Sequence, residues 1–278
     1  MKFAEIKYLT TDINMAVSRF NSVFYPYGLE EQLVLGSEGY KIYLNVSRNS
    51  DLKSIRKVLF KTERFLLENN VTAVTGEKFD GIYTADGRAA MALFAAGRTE
   101  VMSEVVIIGG NRVLTEILLC ALCPRVNYIS LYTEENYSYT DICGYFFMEY
   151  GITVQLINSL RHENLKNADI VINCAELSEN YDYLLKNGCV YYDIFNDKKR
   201  IRHIRKIRND VMVINSAVIN NGEEKIPVEL AECALYATSE DFRKLLSERI
   251  GCDEKLKIIS RIKDMGIIDK FNGVFDGG

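Results

Sequence analysis

Gly109-Gly110-Asn111 follows the aliphatic run Val105–Ile108, and an apolar helical pattern opens directly after it at Val113, Ile117, Leu118 and Ala121. A short β-branched run reads as a strand buried on both faces, glycines break it, and Asn111 is a good N-cap. The chemistry such a corner can do is to hold a phosphate. Backbone N–H groups and the positive end of the helix dipole converge at one edge of the sheet. A bound phosphate-bearing cofactor would lie along Gly109, Gly110, Asn111, Arg112 and Val113. The next strand ends in Tyr132-Thr133-Glu134-Glu135, and Ala175 follows the fourth strand, beneath the same ligand.

The dinucleotide fingerprint G-x-G-x-x-G tests that reading. Its first glycine falls on Gly109, its second on Asn111 and its third on Leu114. The Asn111 side chain is expected to crowd a pyrophosphate, and Leu114 to push the helix off its strand. The corner therefore reads either as a dinucleotide site or as a Rossmann-type domain that has lost its cofactor. Glu134 stands where a carboxylate accepts from ribose hydroxyls, and no arginine is there to meet a 2′-phosphate. NAD is accordingly favoured over NADP, with no cofactor as the alternative.

Other reactive types are less well placed. Cys120 and Cys123 form a C-x-x-C, but late in the helix after the glycine turn, where the dipole does not activate a thiol. They read as two small core residues. His162 and His203 stand in charged surroundings without ligand spacing, so no metal site is expected. Lys198–Arg208 carries seven Lys/Arg, which could be an RNA-binding patch. Ile201, Ile204 and Ile207 give that run one apolar side, however, and favour a solvated amphipathic helix.

The elements that must position these residues alternate. After Val105–Ile108, strands are expected at Val126–Leu131, Ile152–Ile157, through Asn167–Cys174, at Cys189–Ile194 and at Val211–Asn215, with a helix at Tyr139–Tyr150. Strands and helices at this spacing predict βαβ units and a doubly wound parallel sheet, with Val105–Ile108 inside it. Before it, a smaller α/β lobe is expected. It has strands at Lys2–Leu9, Gln32–Leu35, Tyr40–Val46, Val71–Val74 and Gly81–Thr84, and helices at Ile13–Phe24 and Asp51–Glu68. Arg88–Ala96 would be a hinge helix. Val228–Ala237, Asp241–Ile250 and Lys255–Lys263 would be helices folding back over the region between the lobes. The domain reading is residues 1–87, 88–226 and 227–278.

This layout resembles the shikimate dehydrogenase family. Asn14–Phe24 is similar to its S-x-S-P-x-x-H-N segment, keeping Asn21 and the trailing Phe24. Asn45-Val46-Ser47 resembles its N-V-T-x-P-x-K loop, Ala73-Val74-Thr75 its A-V-N-T strand, and Gly81–Gly87 its G-x-N-T-D-x-x-G motif. The resemblance implies a substrate lobe with Asn45 and Thr75 at the substrate, a nicotinamide cofactor, and a Lys–Asp pair that passes the hydroxyl proton. Here the family's serines correspond to Asn14 and Ala16, its lysine to Asp51 with Lys53 two places on, and its aspartate to Ala85 with Asp86 adjacent. Asp86, beside Thr84, is then the candidate for general acid/base work, or alternatively an N-cap for the Arg88 helix. Gly188–Pro227 also resembles long-chain acyl-acyl-carrier-protein reductases: a buried strand ending in Asp, a basic helix, and a loop to Pro. Their thioester-forming cysteine corresponds to Glu229, with Cys233 out of register.

Composition narrows the classes. A net charge of −4 gives no general attraction to nucleic acid or an anionic membrane, and no apolar run reaches the length of a membrane span. Seven scattered cysteines, an odd number, suit reduced thiols in a cytoplasmic protein. The expectation is an oxidoreductase acting on a small polar or acidic metabolite, with a homo-oligomer open. The alternative is a non-catalytic two-lobed protein that senses a ligand or binds a partner on the same scaffold.

Overall fold

The computed structural model describes all residues except 12–13, 135–138, 161–162, 178–180, 222–223 and 275–278. Ile13, Glu135 and His162, each named above, therefore lie outside the described residues. The chain divides into two compact units, residues 1–87 with 229–240 and residues 88–228 with 241–278.

The first unit opens with β1 (Lys2–Leu9), α1 (Met15–Phe24), β2 (Tyr27–Val34), β3 (Ser37–Ser47), α2 (Leu52–Glu68), β4 (Val71–Thr75) and β5 (Tyr83–Thr84). Their sheet runs β2-β3-β1-β4-β5. Only β2 is antiparallel, turned back onto β3 at Leu35–Gly36, where φ angles of 52° and 78° give the left-handed pair a tight hairpin needs. Ile42, Leu44 and Val46 of β3 pack against Val58 and Leu66 of α2 in one core. Asp51 starts α2 by accepting from the Ser54 N–H at 3.0 Å. Asp51 is thus the N-cap of this helix. α1 is the expected helix, with its apolar residues outward. It buries Ser18 and Ser22 and turns Met15, Phe20 and Phe24 to solvent.

The second unit contains α3 (Arg88–Arg98), β6 (Glu104–Ile108), α4 (Arg112–Leu122), β7 (Tyr128–Tyr132), α5 (Thr140–Tyr150), β8 (Val154–Ile157), α6 (Glu163–Asn167), β9 (Ile170–Asn173), β10 (Val190–Asp193), α7 (Lys198–Ile207) and β11 (Met212–Ile214). The strand order is β11-β10-β9-β6-β7-β8, every pair parallel. Numbered within the sheet this is 3-2-1-4-5-6 read from β8, the doubly wound Rossmann-type order. Val105 pairs with Ile129 on one side and Ile170 on the other, so β6 is central, as its aliphatic run predicts.

Beyond β11 the structure adds a feature the sequence reading left as loop. β12 (Ala217–Asn221), β13 (Glu224–Pro227) and the late β14 (Phe271–Gly273) form a small antiparallel sheet. Gly222, in the two-residue link between the paired Asn221 and Glu224, was its available signal. Between β13 and β14 come α8 (Val228–Thr238), α9 (Glu240–Leu245) and α10 (Cys252–Asp264). The C-terminal helices expected as one block at 227–278 are divided. Nearly all of α8 belongs to the first unit, where Glu232 accepts from the Tyr83 hydroxyl at 2.9 Å and Tyr236 stacks on the Tyr83 ring. No helix among the described residues is long and apolar enough to cross a membrane.

The basic run is α7, with Ile201 and Ile204 buried as its periodicity requires. Its inner cations turn back onto the unit. Arg205 reaches Asn215 Oδ1 at 3.1 Å, and Arg208 reaches the Asp182 carbonyl at 3.1 Å.

Candidate functional site

Ile108 is the last residue of β6, and Gly109 and Gly110 carry the chain from the carboxyl edge of the sheet into α4. Strand order reverses here: β7 lies on one side of β6 and β9 on the other. In open α/β sheets ligands bind outside the carboxyl ends of strands at such a switch point. A pocket of about 390 Å³ opens there. Of the predicted cofactor residues, Gly109, Gly110, Asn111, Arg112, Thr133, Glu134 and Ala175 line it. Val113 sits half-buried in the first turn of α4 behind them.

Both glycines are there for space. A Cβ on Gly110 would stand 2.5 Å from the Cys174 carbonyl oxygen and 2.9 Å from Ala175 Cα, at the end of β9. A Cβ on Gly109 would meet Thr133 Cγ2 at 2.7 Å and the Thr115 side chain beyond 3 Å. The two neighbouring strands thus close on the turn from either side.

Asn111 and Leu114 behave differently from their sequence expectation. The Asn111 amide folds down to cap α4, accepting from the Leu114 N–H at 3.2 Å. Leu114 is buried in the core and does not wedge the helix off the strand. Thr115 takes the tight position against Gly109, its hydroxyl bonded to the Asn111 carbonyl at 3.0 Å. Of the first-turn donors that no helical carbonyl can reach, Arg112 and Val113 remain to meet a ligand. The Arg112 guanidinium donates to Glu116 at 2.9 Å, and Glu116 is also ion-paired with the buried Lys255.

The sequence reading missed the floor of the site. Asn173 and Asp193, at the ends of β9 and β10, are both fully buried and joined by Asn173 Nδ2 donating to Asp193 Oδ1 at 3.1 Å. Asn173 Oδ1 in turn accepts from the Ala175 N–H at 3.2 Å, fixing the loop that faces Gly110. Arg200 of α7 holds the same loop through the Leu177 carbonyl at 2.8 Å. Arg88 adds a cation to the rim, 5.0 Å over the Phe195 ring. These partners lie far apart in sequence, and only the strand order brings them together.

Burial lifts the Asp193 carboxyl to about 6 against its hydrogen bonds from Asn196 and Asn173, and its Oδ2 has no hydrogen-bond partner among the described residues. A raised folded-state value means this group contributes stability below its unfolded value of 3.8 and loses it as pH rises through about 6. Asp193→Asn removes that slope. Between pH 4 and pH 8 the variant is expected to gain on the wild type by about 2–3 kcal/mol, read by urea denaturation at both pH values. A constant difference across that range would show the carboxyl titrating normally.

In the first unit, the carboxyl ends of β3, β4 and β5 carry Asn45, Thr75 and Thr84. Asn45 is a brace: its side-chain amide donates to the Tyr25 carbonyl at 2.9 Å, and its own carbonyl accepts from Asn21 at 3.0 Å. Thr84 Oγ1 is buried without a hydrogen-bond partner among the described residues. Asp86 is exposed just beyond β5, and Lys53 is exposed in the first turn of α2. Cys233 is fully buried against the Ala4 carbonyl, and burial lifts its thiol far above the usual range, so it is no nucleophile. Among the described residues no group of three or more His, Cys, Asp or Glu could hold a metal ion.

No family model matches the chain, and no curated protein matches it. Solved structures similar to it include the ligand-free 5-ketofructose reductase of Gluconobacter sp. strain CHM43, at 9% identity over 94% of this chain and 98% of that one, with a TM-score of 0.37. A shikimate dehydrogenase in complex with NADP+ is similar at 11% identity over 94% and 95%, with a TM-score of 0.40. Quinate dehydrogenase from Corynebacterium glutamicum in complex with NAD is similar at 10% identity over 93% and 98%, with a TM-score of 0.39. The Rossmann-type assignment itself rests on the strand order.

Proposed function

We propose that this chain is an oxidoreductase of the shikimate-dehydrogenase-like kind, using a nicotinamide dinucleotide on a small polar or acidic metabolite. The observation that carries the reading is the glycine pair at the switch point. It lets the turn pass tightly between the ends of β7 and β9, where a Cβ would collide, and a pocket opens beside it with first-turn residues of α4 and an acidic residue, Glu134, in its lining. Arg112 and Val113 would bind the pyrophosphate through their backbone N–H groups and the helix dipole. Glu134 would accept from the ribose hydroxyls, making NAD the preferred dinucleotide. The dinucleotide, when bound, supplies the hydride acceptor. On the family resemblance, Thr75 and Thr84 would be substrate contacts and Asp86 the group exchanging the substrate proton. Lys53 is the cation nearest in sequence to the family's lysine.

The test is fluorescence titration with NADH and NADPH, for the wild type and Glu134→Ala. Wild type is expected to bind NADH more tightly. The variant should lose about tenfold of that preference, some 1.4 kcal/mol, since removing the carboxylate also removes its repulsion of a 2′-phosphate. Tighter NADPH binding by the wild type would overturn the assignment of Glu134. Binding without any hydride exchange on 2- or 3-hydroxy acids would leave a dinucleotide-binding sensor.

A further inference from the structure

In the second unit α4 packs on both α3 and α10, and the short turn Ile268–Lys270 closes onto α3 and α10. Small residues stand where these elements meet. Ala96 and Gly97 lie in the last turn of α3, and Ala121 in the last turn of α4. A Cβ on Gly97 would meet nothing nearer than Ile268 Cγ2 at 3.7 Å. The space left is a cavity of about 320 Å³, at the opposite end of α4 from the glycine corner. Leu93, Leu256, Ile259, Ile262 and Ile268 form its walls. Close-packed interiors leave few voids larger than a water molecule. An aliphatic space of this size falls instead in the range of small-molecule sites, which begins at about 300 Å³.

The charged part of the lining has one sign. Arg125 and Lys263 are its only charged residues, although the whole chain carries 38 acidic residues against 34 basic. Arg125 donates to the Ala96 carbonyl at 3.4 Å and to the Thr99 carbonyl at 2.8 Å. Those bonds fix the guanidinium at the cavity wall, and part of its fork of donors stays unused. Lys263, in the last turn of α10, is exposed and has no ion-pair partner among the described residues. A lysine there also suits the helix dipole, but the dipole does not account for the aliphatic space it stands over. Ser260 and Tyr150, both exposed, add hydroxyls to the same lining. Aliphatic walls with a cationic, donor-bearing rim complement an amphiphile that has an apolar body and an anionic head.

We propose that this cavity binds a medium-chain monocarboxylate, its alkyl body between α3, α4 and α10 and its carboxylate met by Lys263 and Arg125. The volume sets the length of the body. An apolar cavity of about 150 Å³ holds benzene, so a chain of about ten carbons suits this one. The site is separate from the glycine corner and does not depend on a dinucleotide being held there.

The test is calorimetric titration of the full chain with decanoate, for which one binding event per chain is expected. Propionate, the same head without the body, should give no heat. Decylammonium, a similar body with the opposite charge, should bind at least about tenfold more weakly. Lys263→Glu should weaken decanoate binding by about tenfold or more. Lys257→Glu, the same charge change at an exposed position of α10 outside the cavity, should leave it within about twofold. Ala121→Phe, which places a ring in the space, should abolish binding, and the two exposed lysines keep the test decisive if that variant misfolds. No heat with decanoate, propionate bound as tightly, decylammonium bound equally, or equal effects of the two lysine substitutions would overturn the proposal.

Discussion

Gly110→Val is expected to abolish dinucleotide binding and to destabilise the second unit by about 3 kcal/mol, the upper part of the range for overpacking. The added Cβ alone would stand 2.5 Å from the Cys174 carbonyl oxygen and 2.9 Å from Ala175 Cα. Both are backbone atoms. Cys174 N is bonded to the Ile108 carbonyl at 2.8 Å, and Ala175 N to Asn173 at 3.2 Å, so this backbone cannot retreat without breaking the floor of the site. Gly109→Ala is the control. Its Cβ meets Thr133 Cγ2 at 2.7 Å, a side-chain atom that rotation can move, and the expected loss is about 1 kcal/mol. Urea denaturation and NADH titration of the two variants decide it. A Gly110 variant no less stable than the Gly109 variant would mean that the turn is not packed as described.

Arg200→Ala is expected to cost about 3–5 kcal/mol, as when one partner of a buried ion pair is removed. The Arg200 side chain is 8% exposed and its Asp182 partner 2%, with 3.2 Å between guanidinium and carboxylate. The guanidinium also bonds the Leu177 carbonyl and lies 4.5 Å over the Tyr181 ring. Deleting it strands a buried carboxylate with the largely solvated His203 at 3.7 Å. Arg200→Lys should recover only part of the loss, since an ammonium cannot span both acceptors as the planar fork does. Arg202→Glu, on the exposed side of the same helix, should change stability by less than about 0.5 kcal/mol. Equal effects at the two positions would contradict the structural role of the basic run.

These two residues also mark what could be read in advance. The parallel sheet was legible because its strands are short runs dominated by aliphatic and aromatic residues between turn signals. The Gly109–Gly110 break and the Asn111 cap were legible because they are local. What Gly110 faces was not, because Cys174 is distant in sequence and becomes its neighbour only through the crossover to β9. The same holds for the Asn173–Asp193 pair and for Arg200. Leu114 was misjudged for a different reason. The fingerprint assigns the close contact to its position, whereas here Thr115 makes it and Leu114 enters the core. α1 forms where a helix is expected, but its apolar residues face solvent, and periodicity shows that a face exists but not which way it turns. Asp86, Thr84, Thr75 and Lys53 rest on motif likeness, and their roles stay with the proposal.

The central claim, that the corner at Gly109–Gly110 holds a nicotinamide dinucleotide, is tested most directly by calorimetric titration of the full chain with NAD and NADP. One binding event per chain is predicted, tighter for NAD. Asn111→Gly should retain it, because the Asn111 amide is turned down onto α4 as its cap and glycine at an N-cap costs only a few tenths of a kcal/mol relative to asparagine. No heat from the wild type with either nucleotide, and none from Asn111→Gly, would contradict it.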